Sequence, residues 1–307
     1  MKKLISNIVF TKNRPLQLNA YLESLYRFFP AQLIQTSVIY KAEMFEQEYE
    51  RLFKSFPDCI VIKEKDFHGD FLRVIGRVDT PYILFGIDDV VYFDSVDFEV
   101  VDRTFRENSR DIFGFSFKMA PELFKDTGDL ITNALIAGRT VHKLNWKTGR
   151  TASSRYSFEL CATLYTAELV RRIIDGTMNN NPLIHKLFAP SSFLIRTMCK
   201  VVSTRSTLKS FGYFYNPNTL ESWCCRWCQR NADKIPGYIY FQEQCAAAIQ
   251  VNMVNTSTDN ELDKCDLTVE KLNEMYKQGY RFDINKLREN KPAQTHCGQA
   301  YFKLERT

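Results

Sequence analysis

Residues 4–18 read LISNIVFTKNRPLQL, and the order of side-chain chemistry along them decides the fold. Leu4–Phe10 is a short, nearly continuous apolar run, which suits a strand buried on both faces. Thr11, Lys12, Asn13 and Arg14 close it with polar and basic groups. Pro15 then suits the first turn of a helix, where its missing N–H costs nothing. Leu18, Leu22, Leu25 and Phe29 follow at helical spacing. A buried strand, a basic turn and an amphipathic helix in this order open a βαβ unit.

The same alternation continues outward. Leu33–Tyr40 reads as a strand, and Phe45, Tyr49, Leu52, Phe53 and Phe56 mark one face of a helix. Cys59–Ile62 is a short strand. A helix around Phe71–Val78 leads to the strand Tyr82–Ile87. This βαβαβαβ order predicts an α/β fold with a doubly wound, mostly parallel, Rossmann-like sheet. The second half is less regular. Ile112–Phe117 reads as a strand, 120–155 as loop-rich, and Ser157–Tyr165 as a strand entering a helix at Ala167–Ile174. Further on come a helix at Thr219–Asn231, strands at Ile235–Phe241 and Ile249–Val254, and a helix at Val269–Gln278 capped by Gly279. No linker interrupts the chain, so residues 1–120 and 121–307 are expected to be two lobes of one domain.

Bulk properties exclude several classes. Of 307 residues, 41 are basic and 36 acidic, a net charge of +5. That mild bias suits an anionic small substrate and is too dispersed for a nucleic-acid binder. Nine cysteines, an odd number, are scattered through a chain too long to need staples. They read as free, mostly buried thiols in a reducing compartment. The start, MKKLISNIVF, lacks the uninterrupted apolar run and small-residue cleavage site of a signal peptide. No apolar segment is long enough to span a bilayer. The expectation is a cytoplasmic protein without a transmembrane segment, which leaves peripheral membrane contact open. Neither GxxxxGK[ST] nor GxGxxG occurs, which argues against P-loop and dinucleotide chemistry.

Ligands of open α/β sheets bind beyond the carboxyl ends of the strands. Thr11 to Arg14, then Lys41, then Lys63, Glu64, Lys65 and Asp66, then Asp88 and Asp89 all fall there. Two adjacent carboxylates at a strand terminus repel each other unless a hard cation sits between them. Mg²⁺ or Mn²⁺ takes one or two protein carboxylates together with phosphate oxygens and water, so a metal–diphosphate site fits. The plain alternative is an exposed acidic turn.

Here the chain resembles a known family. Thr11-Lys12-Asn13-Arg14-Pro15-Leu16-Gln17-Leu18 is similar to the first nucleotide-binding turn of GT-A-fold glycosyltransferases, and Asp88-Asp89-Val90 looks like their DxD or DD metal motif. Val90 departs from strict DxD. The resemblance covers the first 90 residues and is diffuse beyond them. It implies a UDP- or GDP-linked sugar donor held by Thr11, Lys12 and Arg14, with Mn²⁺ or Mg²⁺ on the diacid: Asp89 is the favoured ligand with Asp88 near the ribose, and Asp88 is the other candidate ligand. It further implies Asp66 at the base, Arg73 at the diphosphate, and His296 as a third metal ligand. Residues 1–120 then become the nucleotide-sugar half and 121–307 the acceptor half. The acceptor class, whether glycan, lipid-linked or protein, is left open.

An inverting transfer, the favoured course, needs a carboxylate to deprotonate the acceptor hydroxyl. Glu221, in NPNTLESW, starts a helix beside Trp223, where apolar bulk raises a carboxyl pKa. It is preferred over Glu159, in RYSFELCATLY, a segment that resembles the acceptor-side strand of the same family. Each glutamate could instead serve a structural ion pair. Cys224, Cys225 and Cys228 could form half a zinc site, but the segment reads better as a helix packing thiols inward. His68, His142 and His185 lack ligand spacing. Two other functions compete: a nucleotidyltransferase acting on a sugar phosphate, disfavoured because it usually has a Gly-rich first turn, and a non-catalytic carbohydrate-binding protein.

Overall fold

The computed structural model describes residues 2–179, 213–252 and 267–306. The opening stretch folds as its pattern requires: β1 (Ile5–Lys12), α1 (Pro15–Phe28), β2 (Ile34–Lys41), α2 (Glu46–Ser55), β3 (Ile60–Lys63), α3 (Phe67–Arg77) and β4 (Tyr82–Ile87). Pro15 opens α1, and Asp66 caps α3 by accepting the Gly69 N–H. Side chains alternate across the strands, so each face builds its own core. Ile5, Val9, Val38 and Leu84 pack with α1 and α2 on one face. Ile8, Phe10, Ile39, Ile83 and Phe85 pack with α3 on the other. That is double winding, read directly from burial.

Next come β5 (Val90–Tyr92), α4 (Phe98–Glu107) and β6 (Ile112–Ser116), then β7 (Ile131–Ile136), β8 (Arg139–Asn145), β9 (Thr163–Thr166) and α5 (Ala167–Met178). The last described stretches supply α6 (Pro217–Arg230), β10 (Tyr238–Phe241), β11 (Ala246–Ile249), α7 (Val269–Lys277), β12 (Tyr280–Phe282), α8 (Ile284–Glu289), β13 (His296–Cys297) and β14 (Leu304–Arg306). Nine strands form one sheet in the order β3-β2-β1-β4-β9-β6-β10-β8-β7. The pairings make all but β8 and β9 point the same way, so the sheet is mostly parallel. β9, from the second half, inserts between β4 and β6. A small sheet, β13-β11-β5, carries the chain after the diacid.

Several segments differ from the sequence expectation, which contained neither α4 nor the short elements after α7. Within the loop-rich 120–155 lies the β7–β8 hairpin, turned by Ala137 and Gly138, both at positive φ (50° and 73°). Such two-residue hairpins normally announce themselves by Asn-Gly or Asp-Gly, and Ala-Gly hides the turn. The strand read over Ser157–Tyr165 is confined to Thr163–Thr166, because Ala162 takes φ +52° and turns the chain just before it. The strand read over Ile249–Val254 lies earlier, at Ala246–Ile249, and residues 253 and 254 are outside the described residues, as is His185. Cys224, Cys225 and Cys228 are buried on α6, with the Thr177 hydroxyl donating to Cys224 Sγ at 3.7 Å. All three pack into the core cluster on that face of the sheet. Among the described residues no helix is long and apolar enough to cross a membrane.

Candidate active site

β1 and β4 are parallel neighbours, with Phe10 level with Ile87. The turn after β1 and the acids after β4 therefore emerge side by side. Asn13 shapes that turn. It sits at φ +53°, which asparagine tolerates. Its carboxamide oxygen accepts the N–H groups of Glu43 (2.9 Å) and Met44 (3.2 Å), and its own N–H donates to the Lys41 carbonyl at 3.1 Å. The turn is thus tied to the end of β2. Below it, the Tyr49 hydroxyl accepts the Arg14 N–H at 2.9 Å and bonds Thr11 Oγ1 at 2.8 Å.

These bonds aim the Arg14 side chain along the sheet edge. Its Nη1 donates to Asp88 Oδ1 at 2.9 Å, and both side chains are buried. Its Nη2 donates to the carbonyl of Asn252, whose side-chain oxygen accepts Gln17 Nε2 at 3.4 Å. Its Nε is buried without a partner among the described residues, and so is Asp89 Oδ1. Burial opposes the Arg14 charge, but Asp88 and Asp89 outweigh it and raise its pKa. Burial lifts the Asp89 carboxyl to about 6, with a further push from Asp88 and against the pull of Arg14 and Lys118. The Ile249 N–H donates to the Asp89 carbonyl at 2.7 Å, so β11 clamps the backbone of the diacid.

The other expected donor-side residues are engaged elsewhere. Lys12 pairs with Glu43 at 3.0 Å on the surface, and Thr11 turns its hydroxyl to Tyr49. One oxygen of Asp66 caps α3 and the other accepts the Tyr213 hydroxyl. Arg73 lies on the outer side of α3, paired with Asp70 at 2.9 Å. His296 stands level with Val90 across β11. Partial burial of its ring, then the charge of Lys118, lowers its pKa. No three His, Cys, Asp or Glu side chains among the described residues come together as a ligand set. A cation on Asp89 would draw its remaining ligands from phosphate and water, and the unpartnered Asp89 oxygen fits that role.

The two glutamates expected on the acceptor side do meet. Glu221 rides on α6, whose start is fixed by a capping box between Asn216 and Thr219 and by Pro217. Its Oε1 accepts the Leu160 N–H at 3.0 Å, one residue from Glu159. Burial, then the charge of Glu159, raises Glu221 to about 7. Glu159 is buried and ion-paired with Lys118 at 2.5 Å. Lys118, Tyr49 and Asn252 were not singled out as site residues from sequence. Lys118 had a usable signal, since it follows a strand on the edge where ligands bind. Tyr49 sat on an apolar helix stripe, and Asn252 contributes a backbone carbonyl that no side-chain pattern encodes.

No protein-family model matches the chain. It is 22% identical over 208 residues, 61% of its length, to the bifunctional glycosyltransferase pgtA of Dictyostelium discoideum, and spans 27% of that relative. Among solved structures, S. aureus TarS overlaps 55% of this chain and 29% of its own, at 14% identity and a TM-score of 0.40. The 1–349 fragment of TarS in complex with UDP-GlcNAc overlaps 55% of this chain and 47% of its own, at 14% identity and a TM-score of 0.38. The chain therefore carries a mixed α/β, largely parallel sheet with a basic turn and a diacid on one edge, and is similar in sequence to about a quarter of a glycosyltransferase.

Proposed function

We propose that this chain transfers a sugar from a nucleotide-sugar donor to an acceptor hydroxyl, in a cation-dependent reaction at the edge where β1 and β4 end. One observation carries the reading: two buried groups of opposite need, Arg14 Nε and Asp89 Oδ1, lie in one cluster without partners among the described residues. Buried polar atoms are normally satisfied. An orphan N–H asks for an anion and an orphan carboxylate oxygen asks for a cation. A nucleoside diphosphate with a divalent ion supplies both. The sequence similarity to a bifunctional glycosyltransferase supports the same class.

In this reading Asp89 holds Mn²⁺ or Mg²⁺, while Asp88, fixed by Arg14, faces the ribose. Such an ion, when bound, offsets charge on the departing diphosphate. Arg14 orients the phosphates and adds a fixed positive charge in a site that water has largely left. Glu221, its pKa brought to about 7, takes the acceptor proton, and Glu159 is the second carboxylate of that pocket. The test is a melting-temperature screen with UDP, GDP and their sugar conjugates, with and without Mn²⁺. Stabilisation only when nucleotide and Mn²⁺ are both present is expected. Stabilisation by free sugars alone, with no response to any nucleotide, would mark a carbohydrate-binding protein instead.

A further inference from the structure

We infer that Lys118 is a positioning residue that holds Glu159 in a buried ion pair and so makes Glu221 the carboxyl of the pair that exchanges a proton. Calling that proton the acceptor's rests on the transferase reading; the division of charge does not.

The geometry is asymmetric. Lys118 follows β6 and is buried, and the Phe117 N–H beside it donates to the Ala162 carbonyl at 2.9 Å. That bond ties the segment after β6 to the loop that carries Glu159. Lys118 Nζ then lies 2.5 Å from Glu159 Oε2, and the Thr163 hydroxyl donates to Oε1 at 2.5 Å. The Glu159 backbone is held as well, its N–H and carbonyl both bonded to the Tyr165 hydroxyl at 3.0 and 3.2 Å. Both carboxylate oxygens of Glu159 therefore have strong donors, one of them charged. Glu221 has the Leu160 N–H on Oε1 and the Tyr156 hydroxyl, and no ion pair among the described residues.

The groups facing Glu221 are Glu159, Tyr156 and Cys161 from the loop before β9, Tyr165 on β9, Lys118 after β6, and Cys224 on its own helix. Lys118 also faces Asp89, which has Arg14 beside it as well; between Glu159 and Glu221 there is one ammonium, so ionising both leaves negative charge in excess. A buried site resists that charge. The ammonium is in contact with Glu159, so the proton settles on Glu221. Burial and the Glu159 charge raise its pKa in the same sense.

The experiment is a titration of the full chain without donor, with glutamate carboxyls labelled by ¹³C and followed by NMR. In wild type one glutamate is expected to titrate near pH 7, and Glu221→Gln removes that signal. Glu159→Gln should lower its midpoint by about one pH unit or more, because a negative neighbour is lost and the ammonium turns to Glu221. Lys118→Met should raise the Glu221 midpoint, because the ammonium that faces both carboxylates is lost, and Lys118→Arg should restore it. Glu159→Gln keeps the shape of the side chain and an acceptor for Thr163, so it decides the matter if Lys118→Met does not fold. An unchanged midpoint in Glu159→Gln, or no wild-type glutamate titrating above about pH 6, overturns the inference. Donor hydrolysis on the same wild-type sample separates the two ideas: no turnover with these titrations intact retires the transferase and leaves the carboxyl assignment standing.

Discussion

Arg14 holds three elements with one side chain. Its backbone N–H fixes Tyr49 of α2, and its guanidinium fixes Asp88 after β4 and the carbonyl of Asn252 after β11. The planar guanidinium makes the last two bonds from separate nitrogens in a fixed fork. Arg14→Lys keeps the charge and loses the fork. It should weaken UDP–Mn²⁺ binding by about tenfold to a hundredfold, the loss of a charge-assisted hydrogen bond of about 1.5–3 kcal/mol, as read by calorimetry. At this scale the sequence was informative wherever a polar residue followed an apolar strand. That rule selected Arg14, Asp88 and Asp89, which the fold brings together. It also selected Lys12 and Asp66, which meet local partners in Glu43 and in the α3 start. The rule locates an edge of the sheet and cannot tell which of its side chains are already spent on local bonds.

Among the elements, α6 matters most for the proposed chemistry because its N-terminal part sets where Glu221 meets Glu159. The Asn216–Thr219 capping box anchors that turn. Gly176 of α5 leaves room for the Trp227 ring, since a Cβ there would strike it. Asn216→Ala should cost about 1 kcal/mol of stability, seen as a lower denaturant midpoint. Any fall in donor turnover beyond that loss would report a displaced Glu221. The helix was legible, since Asn-Pro-Asn followed by Leu220 and Trp223 announces both its start and its buried face. The β7–β8 hairpin was not, because Ala137 occupies a turn position that normally goes to Asn, Asp or Gly. Glu159 was read into a strand on β-like composition, whereas tertiary bonds from Lys118, Thr163 and Tyr165 hold it in a loop.

For the whole molecule the central consequence is a charge stored in the fold. Asp89 has its pKa raised to about 6 by burial, above the unfolded value. The sign follows from linkage. The raised carboxyl gives stability that is fully present below about pH 3.9, and that stability is lost as pH rises through 6. The free protein should therefore lose about 1–3 kcal/mol between acid and neutral pH through this group. That increment should be missing from Asp89→Asn in urea unfolding at several pH values. A cation on the ionised Asp89 reverses the penalty, so Mn²⁺ binding should weaken as pH falls below 6. The most direct measurement is calorimetric titration of UDP into the wild type and Asp89→Ala, each with and without Mn²⁺. Tight binding by the wild type only when Mn²⁺ is present, and none by Asp89→Ala, is the predicted result. Equal binding by the two proteins, indifferent to Mn²⁺, would contradict a cation-held donor at this edge of the sheet.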